Sequence, residues 1–357
     1  MVQINGELFN DIILSTDGQT VFGTPGNDFI VVCGGNNTVF AGDGTNYVTA
    51  GFLDVQVVTD GGQDFVDFFD PTPPGDNTIY GGSGTDIFLV GSGNDQLFLG
   101  EGDNRVDAFV GGNKTIYAGA GNDFFLTWES GNNLIFGGEG NNIFDAVFNE
   151  GNNTLYAGSG NDQFFLGNSG NNLIFAGEGN NRIISQQFFT NLPPNLVGTT
   201  ANDTVYTGAG NDLIAVSGGN NVIYAGDGVN TIFAGPGDTF AFGPSDNLIY
   251  TGSGDDIINI GVGNDTVFAG EGNNILNIRG GNDTITTGSG SDRFSFQRGI
   301  ETGIATIIGY GANDRISVTG DPTQLKATQV GADTLVSFGS DDLALLKSTQ
   351  KSAVVFA

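Results

Sequence analysis

The chain has no histidine, one cysteine, and only 10 Lys and Arg against 40 Asp and Glu. Without histidine it lacks the commonest general base, the usual zinc ligand and every Ser-His or Cys-His nucleophile arrangement. The single thiol, Cys33, allows no intramolecular disulfide, so cysteine usage does not fix the compartment. The few basic side chains cannot form the clusters that nucleic acid or an anionic membrane surface requires. No run of about 18 apolar residues occurs, so no transmembrane helix is expected. The N-terminus, MVQINGELFNDII, has no basic region and no long apolar stretch, and does not read as a secretory signal peptide.

Acid, glycine and phenylalanine are what the chain has in excess. Its formal net charge is −30, which repels itself in a compact state. Dissolved cations are the simplest neutraliser. The 61 glycines are spaced rather than clustered, and 38% hydrophobic residues with 29 Phe supply a core, so composition does not indicate disorder. A globular chain of 357 residues would divide into domains, but a solenoid need not.

The glycines mark a nine-residue repeat. Residues 81–89 read GGSGTDIFL, 90–98 VGSGNDQLF and 99–107 LGEGDNRVD; 23–31, 207–215, 251–259, 260–268, 278–286 and 287–295 share the frame. About 28 such units run from residue 23 to 295, with degenerate ones at 50–58 and 234–241. Positions 1 to 6 are small and polar with Gly at 2 and 4, which suits a tight turn. Positions 7 to 9 make a short strand whose middle side chain points inward. Two units close one coil of roughly 18 residues, and stacking at about 4.8 Å gives roughly 14 coils and a rod of about 65 Å. The expected fold is all-β: a right-handed parallel β-roll, or β-helix solenoid, of about 14 coils with a C-terminal β cap.

The pattern G-G-x-G-x-D-x-U-x resembles the nonapeptide of RTX proteins, the haemolysin-type calcium-binding repeats. The resemblance implies several bound Ca2+ ions, with carboxylates from position 6 and neutral oxygens from turn carbonyls; calcium takes roughly six to eight oxygens. The matching residues are Asp28, Asp64, Asp86, Asp95, Asp123, Asp162, Asp203, Asp212, Asp256, Asp265, Asp283 and Asp292.

Along one edge of the roll, position 6 runs Asp28, Asn46, Asp64, Asp86, Asn104, Asp123, Asn142, Asp162, Asn181, Asp212, Asn230. Where Asn appears, an acid reappears at position 3: Asp43, Glu101, Glu139, Glu178 and Asp227, with Glu271 completing the candidate metal set. This alternation predicts one continuous column of carboxylates, at alternating depths, that would repel without shared cations. The other edge carries Asn37, Asn77, Lys114, Asn133, Asn153, Asn172 and Asn221, and reads as an Asn ladder, largely metal-free through 109–181. The stretch 251–295 has Asp on both edges and should bind best.

Position 9 after that second edge is aromatic in most units: Phe40, Tyr80, Tyr117, Phe136, Tyr156, Phe175, Tyr206, Tyr224, Tyr250 and Phe268. Stacking along the rod is the structural reading; an exposed stripe contacting a surface or partner is the functional one. Thr38, Thr78, Thr115, Thr154, Thr204 and Thr266 at position 7 could order water for ice binding, but Leu134, Leu173, Val222 and Leu248 interrupt the array. Arg105 and Arg182 sit beside acids, as paired surface charges would; no cleft marks a polysaccharide-active enzyme. Cys33, at position 2 of a turn, is expected to be a buried small thiol.

Residues 1–20 lack the repeat and are expected to cap the roll, which occupies 21–295. The segment 185–197 with Pro193 and Pro194 reads as a loop leaving the roll, and 68–71 with Pro71, Pro73 and Pro74 as a smaller bulge. Residues 296–357 resemble the C-terminal cap of type I secretion substrates, which implies export by an uncleaved C-terminal signal. Together these readings indicate a secreted or cell-surface calcium-binding protein without enzyme activity. An adhesin or an ice- or glycan-binding rod is the alternative. The expected partners are calcium, the type I secretion apparatus, and a cell surface or polysaccharide.

Overall fold

The computed structural model describes residues 2–4, 7–33, 35–50, 56–67, 75–109, 111–128, 131–167, 170–185, 201–216, 218–235, 245–297 and 303–357. The Pro-containing segments at 68–71 and 186–197 lie outside the described residues, as do most of the degenerate units at 50–58 and 234–241. The chain is an all-β parallel β-solenoid of about 14 coils. It divides into two units, Met1–Ala176 and Gly177–Ala357.

In the first unit, alternate strands belong to two parallel sheets. One sheet contains Asp28–Val32, Tyr47–Ala50, Phe65–Asp67, Ile87–Val90, Arg105–Ala108, Phe124–Thr127, Ile143–Ala146 and Gln163–Leu166, each paired in parallel with the next. The other contains Thr38–Gly42, Gln56–Thr59, Thr78–Tyr80, Gln96–Gly100, Thr115–Ala118, Leu134–Phe136, Thr154–Tyr156 and Leu173–Gly177. At the N-terminus, Glu7–Leu14 stacks in parallel on Asp28–Val32, and Val2–Ile4 folds back on it antiparallel.

The second unit repeats the plan. One sheet runs from Arg182–Ile184 through Leu213–Val216, Thr231–Ala234, Ile257–Ile260, Ile275–Ile278 and Arg293–Phe296 to Arg315–Val318. The other runs from Thr204–Thr207 through Val222–Tyr224, Leu248–Tyr250, Thr266–Phe268 and Thr284–Thr286 to Ala305–Ile308. There the pattern changes. Asp341–Leu346 pairs in parallel with Ala305–Ile308, and an antiparallel meander of Leu325–Val330, Asp333–Phe338 and Asp341–Leu346 covers the open strand edge.

The nonapeptide forms this structure because its two halves do different work. The position-8 side chain of each strand points in: Phe88, Phe125, Phe144 and Phe164 from one sheet and Ile79, Leu97, Ile116 and Ile135 from the other are at most 2% exposed. The core rings stack, with Phe125–Phe144 centroids at 5.0 Å and Phe144–Phe164 at 4.6 Å. Gly at position 4 lets neighbouring turns come into contact. Gly140 has φ +111°, and a Cβ there would overlap the Gly121 carbonyl one coil away.

The position-9 aromatics also stack. Tyr80, Phe98, Tyr117, Phe136, Tyr156 and Phe175 form one run, with centroids 4.6–5.2 Å apart and planes within 8°. Tyr206, Tyr224, Tyr250 and Phe268 form another. Cys33 departs from expectation, because it is exposed. It follows the strand Asp28–Val32, in which Val32 points inward, so the alternation of a strand turns Cys33 outward.

Phe144→Ala removes a ring held between two others and should cost about 3–5 kcal/mol. Thermal unfolding followed by circular dichroism checks this, and a shift no larger than that of an exposed control such as Phe148→Ala would contradict the packing described.

Candidate metal centre

The residue at position 6 stands immediately before the strand. Counting back in twos from the buried position 8, it too must face inward. In the first unit Asp28, Asn46, Asp64, Asp86, Asn104, Asp123, Asn142 and Asp162 are all at most 2% exposed; in the second, so are Asn181, Asp212, Asn230, Asp256, Asn274, Asp292 and Asp314.

These side chains form a ladder with the backbone. The N–H of Asn46 donates to Oδ1 of Asp64 (2.8 Å), that of Asp64 to Asp86 (2.9 Å), and that of Asp86 to Asn104 (3.0 Å). The series continues through Asp123, Asn142 and Asp162. In the second unit it runs from Asn181 through Asp212, Asn230, Asp256, Asn274 and Asp292 to Asp314. The other edge has the expected Asn ladder, in which Asn133 donates to Asn153 and Asn153 to Asn172. In the second unit that edge runs Asp203, Asn221, Asn247, Asp265, Asp283.

Asp and Asn are equivalent as acceptors and differ in their second atom. The Nδ2 of Asn donates to glycine carbonyls of its own turn: Asn46 to Gly42 (2.9 Å), Asn104 to Gly102 (2.9 Å), and Asn181 to Gly177 (3.0 Å) and Gly179 (3.2 Å). An ionised Asp carries an acceptor in that place. The Oδ2 atoms of Asp64, Asp86, Asp123, Asp212, Asp256, Asp265, Asp283 and Asp292 are buried without a hydrogen-bond partner. Thr59, Thr207 and Thr251 do not relieve Asp64, Asp212 and Asp256, since they commit their single hydroxyl proton to the carbonyls of Gly81, Ala225 and Ala269, whereas the Thr287 hydroxyl does act to lower Asp292.

Burial therefore raises these carboxyls: Asp64, Asp162 and Asp265 to about 6, Asp86 and Asp123 to about 7, and Asp283 to about 8. The neighbouring Asp64 carboxylate adds to the burial of Asp86, and that of Asp265 to the burial of Asp283. Burial also raises Asp212, Asp256 and Asp292.

At position 6, Asp28 and Asp95 are satisfied from within the protein. Asp28 accepts from Asn10 and from the Thr24 hydroxyl and backbone N–H. Asp95 accepts from Asn77 and Lys114.

The position-3 acids lie elsewhere. Asp43, Glu101, Glu139, Glu178, Asp227 and Glu271 are exposed on the outer side of the turns. Most hold the next coil: Glu101 accepts from Ala120 N–H, Glu178 from Ala209 N–H, Asp227 from Ser253 N–H, Glu271 from Ser289 N–H, and Glu139 from the Ser159 hydroxyl. Bonds from Ser253 and Ser289 lower Asp227 and Glu271. The single column expected from the sequence is thus two, one buried and one exposed. Position 5 adds an outer ladder that the sequence reading did not identify, in which Asn94, Asn113, Asn132 and Asn152 each accept from the backbone N–H one coil on. Its signal was the recurrent Asn before position 6.

Among the described residues no three acidic or thiol side chains converge as a metal site. The buried sites instead combine one or two carboxylates with glycine carbonyls, a hard oxygen set that suits calcium. The orphaned Oδ2 atoms fit a cation held there.

The RTX calcium-binding nonapeptide repeat family matches residues 20–53, 74–108, 111–127, 129–146, 149–168, 163–186, 195–221, 212–241, 243–276 and 268–299. The chain belongs to this family of calcium-binding repeats. No curated protein matches it.

In calcium-depleted buffer the raised carboxyls set the pH dependence. Their folded-state values lie above the unfolded ones, so their contribution to stability is full below about pH 4 and is lost as pH rises through about 6 to 8. The metal-free protein should fold and melt cooperatively at pH 5, whereas at pH 8 its transition should fall to a much lower temperature or be lost. Equal or reversed melting temperatures would show that these carboxyls are not buried as described.

Proposed function

We propose that the protein is a secreted, non-enzymatic structural or cell-surface solenoid whose folding is completed by calcium bound at the buried position-6 carboxylates. The observation that carries this reading is the set of buried Oδ2 atoms lacking any donor. At neutral pH they must be protonated, unfolded or paired with a cation, and a divalent cation neutralises adjacent carboxylates such as Asp265 and Asp283 together. In a low-calcium compartment the chain would stay largely unfolded under its charge of −30. Outside, calcium supplies folding free energy by linkage. The resemblance of residues 296–357 to the cap of type I secretion substrates supports export before folding.

An adhesin reading draws on the aromatic stripe, where Tyr80, Tyr117 and Phe268 are 36–38% exposed. The stacking favours the structural reading instead, because each ring covers the faces of its neighbours and leaves mainly edges to solvent.

Calcium titration of chelator-treated protein, followed by far-UV circular dichroism, should give a cooperative gain of β signal at millimolar or lower calcium. A spectrum already folded and unchanged by calcium would contradict the proposal. Calorimetry should show fewer calcium equivalents for Asp265→Asn with Asp283→Asn, whereas Asp43→Asn should bind as the parent does; the opposite ranking would move the metal to the outer column.

A further inference from the structure

Lys114 stands at position 6 of the Asn-rich edge, between Asp95 and Asn133. A lysine there should be a defect, because it faces the interior and its side chain is 0% exposed. The structure shows how it is accommodated. Its Nζ reaches back one coil and donates to Gly91 O (2.8 Å), Gly93 O (2.7 Å) and Asp95 Oδ2 (2.8 Å), with Gly111 O of its own turn at 3.1 Å. An ammonium has three protons and no acceptor, so four surrounding oxygens satisfy it. Asp95 Oδ1 is taken by Asn77, leaving the carboxylate fully paired.

The same edge in the second unit supplies the comparison. Asp265 and Asp283 occupy the positions of Asp95 and Lys114, and their Oδ2 atoms are both buried without partners. Where lysine is present, the turn-and-carboxylate cage is neutralised and its oxygens are bonded. Where aspartate replaces it, no group of the protein supplies a positive charge to the buried Oδ2 atoms.

We infer that the Lys114 ammonium is a tethered cation filling the oxygen cage of Gly91, Gly93, Asp95 and Gly111, which makes this coil independent of calcium. The cage is a cation site in its own right, and the residue one coil after its carboxylate decides whether the cation is covalently supplied or taken from solution. Lys114 thereby gives the first unit a fixed point from which calcium-driven stacking of neighbouring coils can start.

Two variants test this. Lys114→Asp recreates the Asp265–Asp283 arrangement and should bind one more calcium equivalent than the parent by calorimetry. Lys114→Met fills the space without the charge and strands the Asp95 carboxylate. In calcium-containing buffer, where the rest of the solenoid is folded, its region should be cleaved by protease at least about tenfold faster than in the parent. Only the first arm rests on the calcium reading. If the parent binds no calcium, that reading fails, while accelerated cleavage of Lys114→Met still supports the tethered cation. An unchanged stoichiometry for Lys114→Asp in a calcium-binding parent, or unchanged cleavage of Lys114→Met, would overturn the inference.

Discussion

Among the described residues, most strands of this solenoid begin with a backbone N–H that is satisfied by the side-chain oxygen of the residue one coil further on. Asp and Asn serve equally as that acceptor, so the ladder continues unbroken through Asn46, Asp64, Asp86 and Asn104. Their second atoms face glycine carbonyls of the turn, and here the two residues part. Asn closes the turn by itself, whereas Asp brings an oxygen to a place already lined with oxygens. The mixture of the two along the edge sets how much of the fold is self-sufficient and how much awaits a cation.

This constraint orders the rest of the molecule. The core takes one large apolar side chain per strand at position 8 and a second from some strands, such as Val90 and Leu99, and polar side chains buried at position 6 complete the interior. Glycine at position 4 lets the carbonyls of successive turns line up beside the ladder. The exposed acids at position 3 bond the next coil from outside and stay readily ionised, as Asp227 and Glu271 do. Lys114 is the same chemistry solved with a covalently attached charge.

Much of this was legible in the nonapeptide. The spacing of glycines located the turns, position 8 located the core, and the recurrence of Phe and Tyr at position 9 located the stacked run from Tyr80 to Phe175. The direction of position 6 was equally available by counting back two from position 8, but the alternation of Asp at position 6 with acids at position 3 suggested one shared column at alternating depths. Asp64 and Glu101 were therefore placed in one column, although the first is buried and the second exposed. Cys33 was misplaced as well, since the alternation beyond Val32 outweighs the preference of a thiol for burial. The part played by Lys114 could not be read from spacing, because it depends on a long side chain reaching the turn of the preceding coil.

The most direct test is a crystal structure of the calcium-loaded protein, with ions located by their anomalous scattering. The account predicts peaks inside the turns, beside Oδ2 of residues such as Asp86, Asp265 and Asp283, and none in the cage around Lys114. Peaks confined to the outer carboxylates of Glu101, Asp227 and Glu271, or no peaks at all, would contradict it.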